Sequence, residues 1–169
     1  MLFFGRLYEY KGLDVLLDAM RSVWDVRPDV RLIVAGGGPL EGMIPPDPRV
    51  TGILGYLPEA RVDAVFASAT VLVLPYRQAS QSGPGGQALE RGIPVVATTV
   101  GALPELVSDP TALVAPNDPE ALARAILAHL DHDLAWRTRL LRDATTRMSS
   151  RVSAAVLLEI LASARTPAP

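Results

Sequence analysis

At 169 residues, with 49% apolar and 20% charged residues, the chain has the size and composition of one globular domain with a real core. A formal net charge of -2 provides no global field towards nucleic acid or an anionic membrane. The absence of cysteine excludes disulfides, thiolate metal sites and cysteine nucleophiles, and two histidines, His129 and His132, cannot supply a histidine-rich metal centre. No stretch has the pattern of a secretory leader or the roughly 20 apolar residues that span a bilayer, so a soluble, cytoplasmic domain is expected.

Short apolar, β-branched runs alternate with segments of helical period along the chain. The first run is Leu2–Phe4, followed by a helix that places Leu13, Leu16, Leu17, Met20 and Trp24 on one face. Further strands are expected at 30–35 and Val50–Leu54, and then a helix after Pro58 with Val62, Val65 and Phe66 inward. A strand at 70–75 runs into a helix at about 85–91. A strand at 94–97, a short helix at about 103–107 and a strand at 112–114 come next. Asn117-Asp118-Pro119-Glu120 reads as an N-cap with proline at the first helical position, and the helix it opens buries Leu122, Ala125, Ile126 and Leu130. Helices at about 134–148 and 151–164 close the pattern, and residues 166–169 form a frayed tail to a single domain spanning 1–165. Nearly all the strand runs are apolar on both faces, as strands inside a parallel sheet are. Strand–helix alternation predicts an α/β fold: one Rossmann-like domain with an open, mostly parallel sheet and helices on both faces.

Ligands of such sheets sit outside the carboxyl ends of the strands, so the segments just after strands carry the interest. Gly5-Arg6 follows the first strand, and Lys11-Gly12 opens the first helix. Glycine permits close backbone approach, and two cations beside a helix N-terminus suit a diphosphate; the alternative is a solvated turn with incidental charges. Lys11 is the only lysine in a chain that otherwise uses arginine, which favours the first reading. Gly36-Gly37-Gly38-Pro39 after the second strand allows either a tight structural turn or a ligand approach. The polar, glycine-rich segment from Pro75 to Gln87 runs off a buried strand into a helix. Backbone N–H groups there, with the Ser80 and Ser82 hydroxyls, would cradle phosphate or sugar oxygens; otherwise it is a surface loop. In Gly101-Ala102-Leu103-Pro104-Glu105 the acid reads as a helix-dipole partner. His129 and His132 read as surface residues, and Arg137, Arg139, Arg142, Arg147 and Arg151 as a solvated helix face.

Together these segments resemble the C-terminal, donor-binding domain of family 4 glycosyltransferases, retaining enzymes with the two-domain GT-B fold. The resemblance runs from Phe3 to about Leu161. It rests on Phe4-Gly5-Arg6-Leu7 with Lys11-Gly12, on Ala35-Gly36-Gly37-Gly38-Pro39, on Leu54-Gly55-Tyr56-Leu57-Pro58 and on Leu74-Pro75-Tyr76-Arg77 through Gly92-Ile93-Pro94-Val95-Val96. The resemblance implies that Gly5, Arg6 and Lys11 hold the donor diphosphate. Tyr56 and Leu57 would contact the base, largely through backbone, and Ser82 and Gly83 would lie near phosphate or sugar. It implies a nucleotide-sugar donor, no cofactor and no metal, and it assigns no catalytic residue.

Two departures stand out. Many family members carry two glutamates eight positions apart where this chain has Ala79 and Gln87. Gln87 retains the capacity to hydrogen-bond a ribose hydroxyl, and a subset of the family has a serine-glycine loop like Gln81-Ser82-Gly83. The segment between Pro39 and Val50 is also short, which predicts the loss of a helix there. The chain begins at the first strand of the donor half, so the expectation is a glycosyltransferase donor domain whose acceptor domain lies elsewhere and which transfers nothing by itself. A non-catalytic nucleotide-sugar-binding or interaction module and a gene fragment are the alternatives. An apolar stripe of Val152, Val156, Leu157, Ile160 and Leu161 predicts pairing with an acceptor-domain partner or a second copy.

Overall fold

The computed structural model describes residues 1–107 and 109–131. Six strands form one sheet: β1 (Leu2–Phe4), β2 (Leu32–Gly36), β3 (Val50–Leu54), β4 (Leu72–Leu74), β5 (Val95–Thr98) and β6 (Leu113–Val114). Their order is β3-β2-β1-β4-β5-β6, and every pairing is parallel. The chain winds outward from β1 to β3, then crosses back to lay β4 on the other side of β1. The order reverses between β1 and β4, which opens a crevice at their carboxyl ends.

Helices cover both faces: α1 (Leu13–Val26), α2 (Glu59–Ala67), α3 (Gly83–Glu90), α4 (Leu103–Leu106) and α5 (Pro119–His129). Strand alternation divides the core. Phe3, Val34, Val71, Val73 and Val96 face one layer with Leu16, Met20, Val23, Trp24, Leu122 and Ile126 of α1 and α5. Leu2, Leu72, Leu74 and Ala97 face the other with Val65, Phe66, Ala88 and Leu89 of α2 and α3. Each fully buried leucine or phenylalanine contributes about 1.5–3 kcal/mol relative to exposure. The predicted proline-led start of α5 is present: the Asp118 side chain accepts the Ala121 N–H at 2.8 Å, with Pro119 in the first turn. Asp118→Ala is expected to lower stability by about 1 kcal/mol in urea unfolding, because one first-turn N–H loses its partner.

Several expectations change. Val50–Leu54 is a strand, but as the sheet's edge it leaves Thr51, Gly52 and Leu54 exposed rather than buried. Leu17 and Val62 are only half-buried. The third helix begins at Gly83 rather than about 85, because Ser82 caps it. The segment after Pro39 lacks an α-helix, as its length predicts, and keeps only a short 3-10 turn, Glu41–Met43, before β3. His129 is not a surface residue: it is 2% exposed, with Nδ1 2.8 Å from the Ala125 carbonyl and Nε2 3.4 Å from Asp109. It follows Leu122 and Ile126 at helical spacing on the buried face of α5, and helical position outweighs residue type there. His132, the helices at 134–148 and 151–164, the arginine cluster, the apolar stripe from Val152 to Leu161 and the tail at 166–169 lie outside the described residues. Among the described residues no helix is long and apolar enough to cross a membrane.

Candidate functional site

The crevice between β1 and β4 is floored by the turn from β1 into α1. Gly5, at φ 127°, lets the chain leave the strand, its N–H bonded to the Ala35 carbonyl at 2.9 Å. Leu7 plugs into the core, and its backbone bonds the Gly37 carbonyl and the Leu40 N–H. A 3-10 turn, Glu9–Lys11, leads to Gly12, whose left-handed conformation at φ 67° starts α1. A Cβ at Gly12 would overlap the Pro75 carbonyl, so only glycine lets this turn lie against the end of β4.

Arg77 locks that arrangement. Its backbone N–H donates to the Tyr10 carbonyl at 2.8 Å. Its guanidinium grips both Asp14 carboxylate oxygens, at 2.9 and 2.6 Å, and also donates to the Glu9 carbonyl and Asn117 Oδ1, each at 2.7 Å. The hydrogen bonds from Arg77 hold the Asp14 carboxyl below its usual range. Thr98 Oγ1 donates to the Tyr76 carbonyl at 2.6 Å, which ties in β5. The loops after β1, β4 and β5 and the turn before α5 therefore form one rigid rim.

The two expected cations stand on this rim. Lys11 Nζ lies 3.7 Å from the centre of the Tyr76 ring and 5.3 Å from that of Tyr10, while the exposed Arg6 guanidinium sits over Tyr8 at 5.6 Å. Partial burial, aided by the charge of Arg6, pushes the Lys11 pKa down to about 8. Among the described residues neither cation forms an ion pair with a carboxylate, whereas Arg27, Arg49 and Arg77 each do. The charge of Arg6 thus disfavours the charged form of Lys11, and an anion bound between the two would favour it. Among the described residues no group of three His, Asp or Glu side chains is arranged to hold a metal ion.

The segment after β4 forms the opposite wall. Ser82 is buried and caps α3, its Oγ accepting the Gly85 N–H at 3.2 Å, so that oxygen serves the helix rather than standing free in the crevice. Tyr76 is buried, with the Ser82 side chain near its hydroxyl but short of full hydrogen-bond geometry. Burial raises its pKa to about 12. Gly83 and Gly86, in the first turn of α3, are different from the glycines above. A Cβ on either would meet nothing within 4 Å, and neither has a positive φ. Glycine in a helix costs about 1 kcal/mol relative to alanine, and packing within the described residues does not require it at either position.

Among the residues expected from sequence, Gly5, Arg6 and Lys11 share one turn, and Pro84 brings the Ser82–Gly83 wall against it: a Cβ on Gly5 would lie 3.8 Å from Pro84 Cγ. Gln87 is half-buried farther along α3. Tyr56 and Leu57 follow the edge strand β3; Tyr56 is 93% exposed and Leu57 packs partly on the core. The Gly36–Gly38 turn has a packing role. Cβ atoms there would press on Gly5, Gly55 and Leu7, so the glycines let the β2 loop seat against its neighbours. Sequence reading included Gly12, Tyr76 and Arg77 in its motifs but gave none of them a role of its own in the site. Tyr76 had a weak signal, directly after a strand; Arg77 had none, because Asp14 lies 63 positions away.

The family Glycosyl transferases group 1 matches residues 1–132. The chain is similar to a GDP-mannose-dependent alpha-(1-6)-phosphatidylinositol dimannoside mannosyltransferase of Mycobacterium tuberculosis, with 28% identity over 162 residues, 93% of this chain and 42% of that protein. It is similar to a D-inositol 3-phosphate glycosyltransferase of Mycolicibacterium gilvum, with 35% identity over 137 residues, 73% of this chain and 30% of that one. The chain thus spans less than half the length of these relatives. In fold it resembles Anabaena Alr3699/HepE, solved in complex with UDP, at a TM-score of 0.76 and 20% identity over 96% of this chain and 48% of that one. The catalytic domain of a cholesterol-alpha-glucosyltransferase from Helicobacter pylori gives a TM-score of 0.70 at 19% identity, covering 86% of this chain and 97% of that one.

Proposed function

Because the chain belongs to the glycosyl transferases group 1 family, we propose that its crevice binds the diphosphate of a nucleotide-activated sugar and serves as the donor half of a retaining glycosyl transfer. The observation that carries this reading is the pair Arg6 and Lys11, adjacent to one another and unpaired with any described carboxylate. The Gly83 N–H at the start of α3 adds a donor through the open space beside Gly83, whereas Pro84 has no N–H and the amides of Gly85 and Gly86 donate to the hydroxyl and carbonyl of Ser82. When the sugar C1–O bond breaks, its electron pair stays on the diphosphate, and these cations and the Gly83 N–H stabilise the added charge. This chemistry uses no metal ion. Gln87 offers an amide to a ribose hydroxyl, and the backbone at Tyr56 and Leu57 faces the base.

The donor half alone does not position an acceptor hydroxyl or exclude water, so transfer requires an acceptor-binding unit, in a longer chain or in a partner. The test is calorimetry of residues 1–169 with UDP, GDP and ADP. One or more of these should bind, and Arg6→Ala should weaken binding about tenfold, as expected for an exposed charge-assisted contact worth about 1.5 kcal/mol. Equal affinity in both proteins would remove Arg6 from the site.

A further inference from the structure

We propose that Tyr76 is a positioning residue for the diphosphate site: the face of its buried ring seats the Lys11 ammonium and keeps that charge in place, and unpaired, for the anion. The inference rests on the donor-binding reading above.

The fold brings ring and amine together from both sides of the crevice. Lys11 closes the 3-10 turn Glu9–Lys11, and Gly12 behind it lies against the Pro75 carbonyl. Two residues after Pro75, the Arg77 N–H donates to the Tyr10 carbonyl at 2.8 Å. Tyr76 stands between these two pinned residues. Its own carbonyl accepts from Thr98 Oγ1 at 2.6 Å, and it is 1% exposed. With both backbones fixed, the lysine stem has only to lie across the ring, and Nζ comes to 3.7 Å from the ring centre. The Tyr10 ring is farther away, at 5.3 Å, and stands at the surface. Packing alone asks only for an apolar side chain at position 76. The Tyr76 hydroxyl, short of a full hydrogen bond, is not what fixes the residue there.

An aromatic face suits the task on electrostatic grounds. Burial and the charge of Arg6 both push the Lys11 amine towards neutrality. The negative face of a ring attracts an ammonium and not a neutral amine, so it opposes both. A carboxylate in the same place would oppose them more strongly, but it would pair with the lysine and repel a diphosphate. The ring leaves the charge available, and it holds a flexible stem in one place before the ligand arrives. Of the other charged groups around the turn, Glu9 and Asp14 act on Arg77, and Tyr76 keeps its own proton to about pH 12. Arg6 is the charged neighbour whose effect the ring offsets.

Lys11 is the only lysine, so carbon-13 lysine incorporated into the whole chain gives one side-chain NMR signal to titrate without ligand. Three proteins are compared: wild type, Tyr76→Phe and Tyr76→pentafluorophenylalanine. Fluorination keeps the size of the ring and reverses the sign of its face. The expected result is a Lys11 midpoint near 8 in wild type and in Tyr76→Phe. In the fluorinated protein it should be about 0.5–1 pH unit lower, the size of a cation–π contact. At pH 8 that change lowers the charged fraction, so calorimetry with UDP or GDP should show affinity about two- to fivefold below that of Tyr76→Phe. Equal midpoints in all three proteins would overturn the inference. So would a fall in Tyr76→Phe as large as in the fluorinated protein, which would assign the effect to the hydroxyl. A lowered midpoint with unchanged nucleotide affinity would also overturn it, because the seat would then not serve the ligand. If thermal unfolding shows that the fluorinated protein does not fold, Tyr76→Leu decides by the same comparison. Absence of nucleotide binding in wild type would overturn the donor-binding reading and the positioning role with it, while the lysine titration still reports on the ring by itself.

Discussion

Gly36→Ala is expected to lower stability by about 3–5 kcal/mol, enough to leave much of the protein unfolded at modest urea concentrations. Gly36 ends β2 at φ 136°, a conformation that residues with a Cβ rarely adopt and that costs about 1–3 kcal/mol. The added methyl would also overlap the Gly5 carbonyl, and overpacking of this kind costs a further 1–3 kcal/mol or so. Relief requires moving the β1 turn, which carries Arg6 and Lys11, so any folded remainder should also bind nucleotide poorly. Gly42→Ala is the control. Gly42 has open space around it and no positive φ, so its unfolding curve should match wild type within about 0.5 kcal/mol. Coincident curves for all three proteins would show that the β2 turn is slack.

Lys11→Met is expected to cost nucleoside diphosphate binding about 2–5 kcal/mol, more than loss of the exposed Arg6, because Lys11 is half-buried and its charge acts at lower effective dielectric. The same burial gives binding a pH dependence. With a pKa near 8, Lys11 is charged at pH 7 and loses its proton as pH rises towards 9, so affinity should fall over that range in wild type and stay flat in the methionine variant. Stability moves the other way. The folded chain holds the Lys11 proton less tightly than the unfolded chain, whose lysine titrates at its ordinary 10.5, so between about pH 8 and 10.5 the unfolded state binds more protons and this group's contribution to stability rises with pH. Lys11→Met removes that penalty. A variant that is no less stable and yet fails to bind would show that the lysine serves the ligand rather than the fold.

How much of this was legible in the sequence follows from the range of the interactions involved. Strand–helix alternation is local, and every element it predicted within the described residues is present. Lys11 also stood out, as the single lysine, beside the glycine that opens the first helix. Ala79 and Gln87 were legible as departures from the family's acids. What depended on neighbour order was not: Val50–Leu54 has a buried strand's composition, and only its place at the sheet edge exposes it. Arg77 looked like any loop arginine, since Asp14, Glu9 and Asn117 come to it through the fold. His129 was misread because its type suggested solvent while its helical phase pointed inward. Ser82 was read as a ligand hydroxyl when its first task is to cap α3, a distinction that depends on where the helix starts.

The most direct test of the diphosphate site is calorimetric titration at pH 8 in two buffers of different ionisation enthalpy. A diphosphate bound against Lys11 favours the charged amine, so wild type should take up a fraction of a proton as UDP or GDP binds. In Lys11→Met both the uptake and most of the affinity should vanish. Binding of equal strength in both proteins, with no proton uptake in either, would contradict the placement of the nucleotide on Arg6 and Lys11.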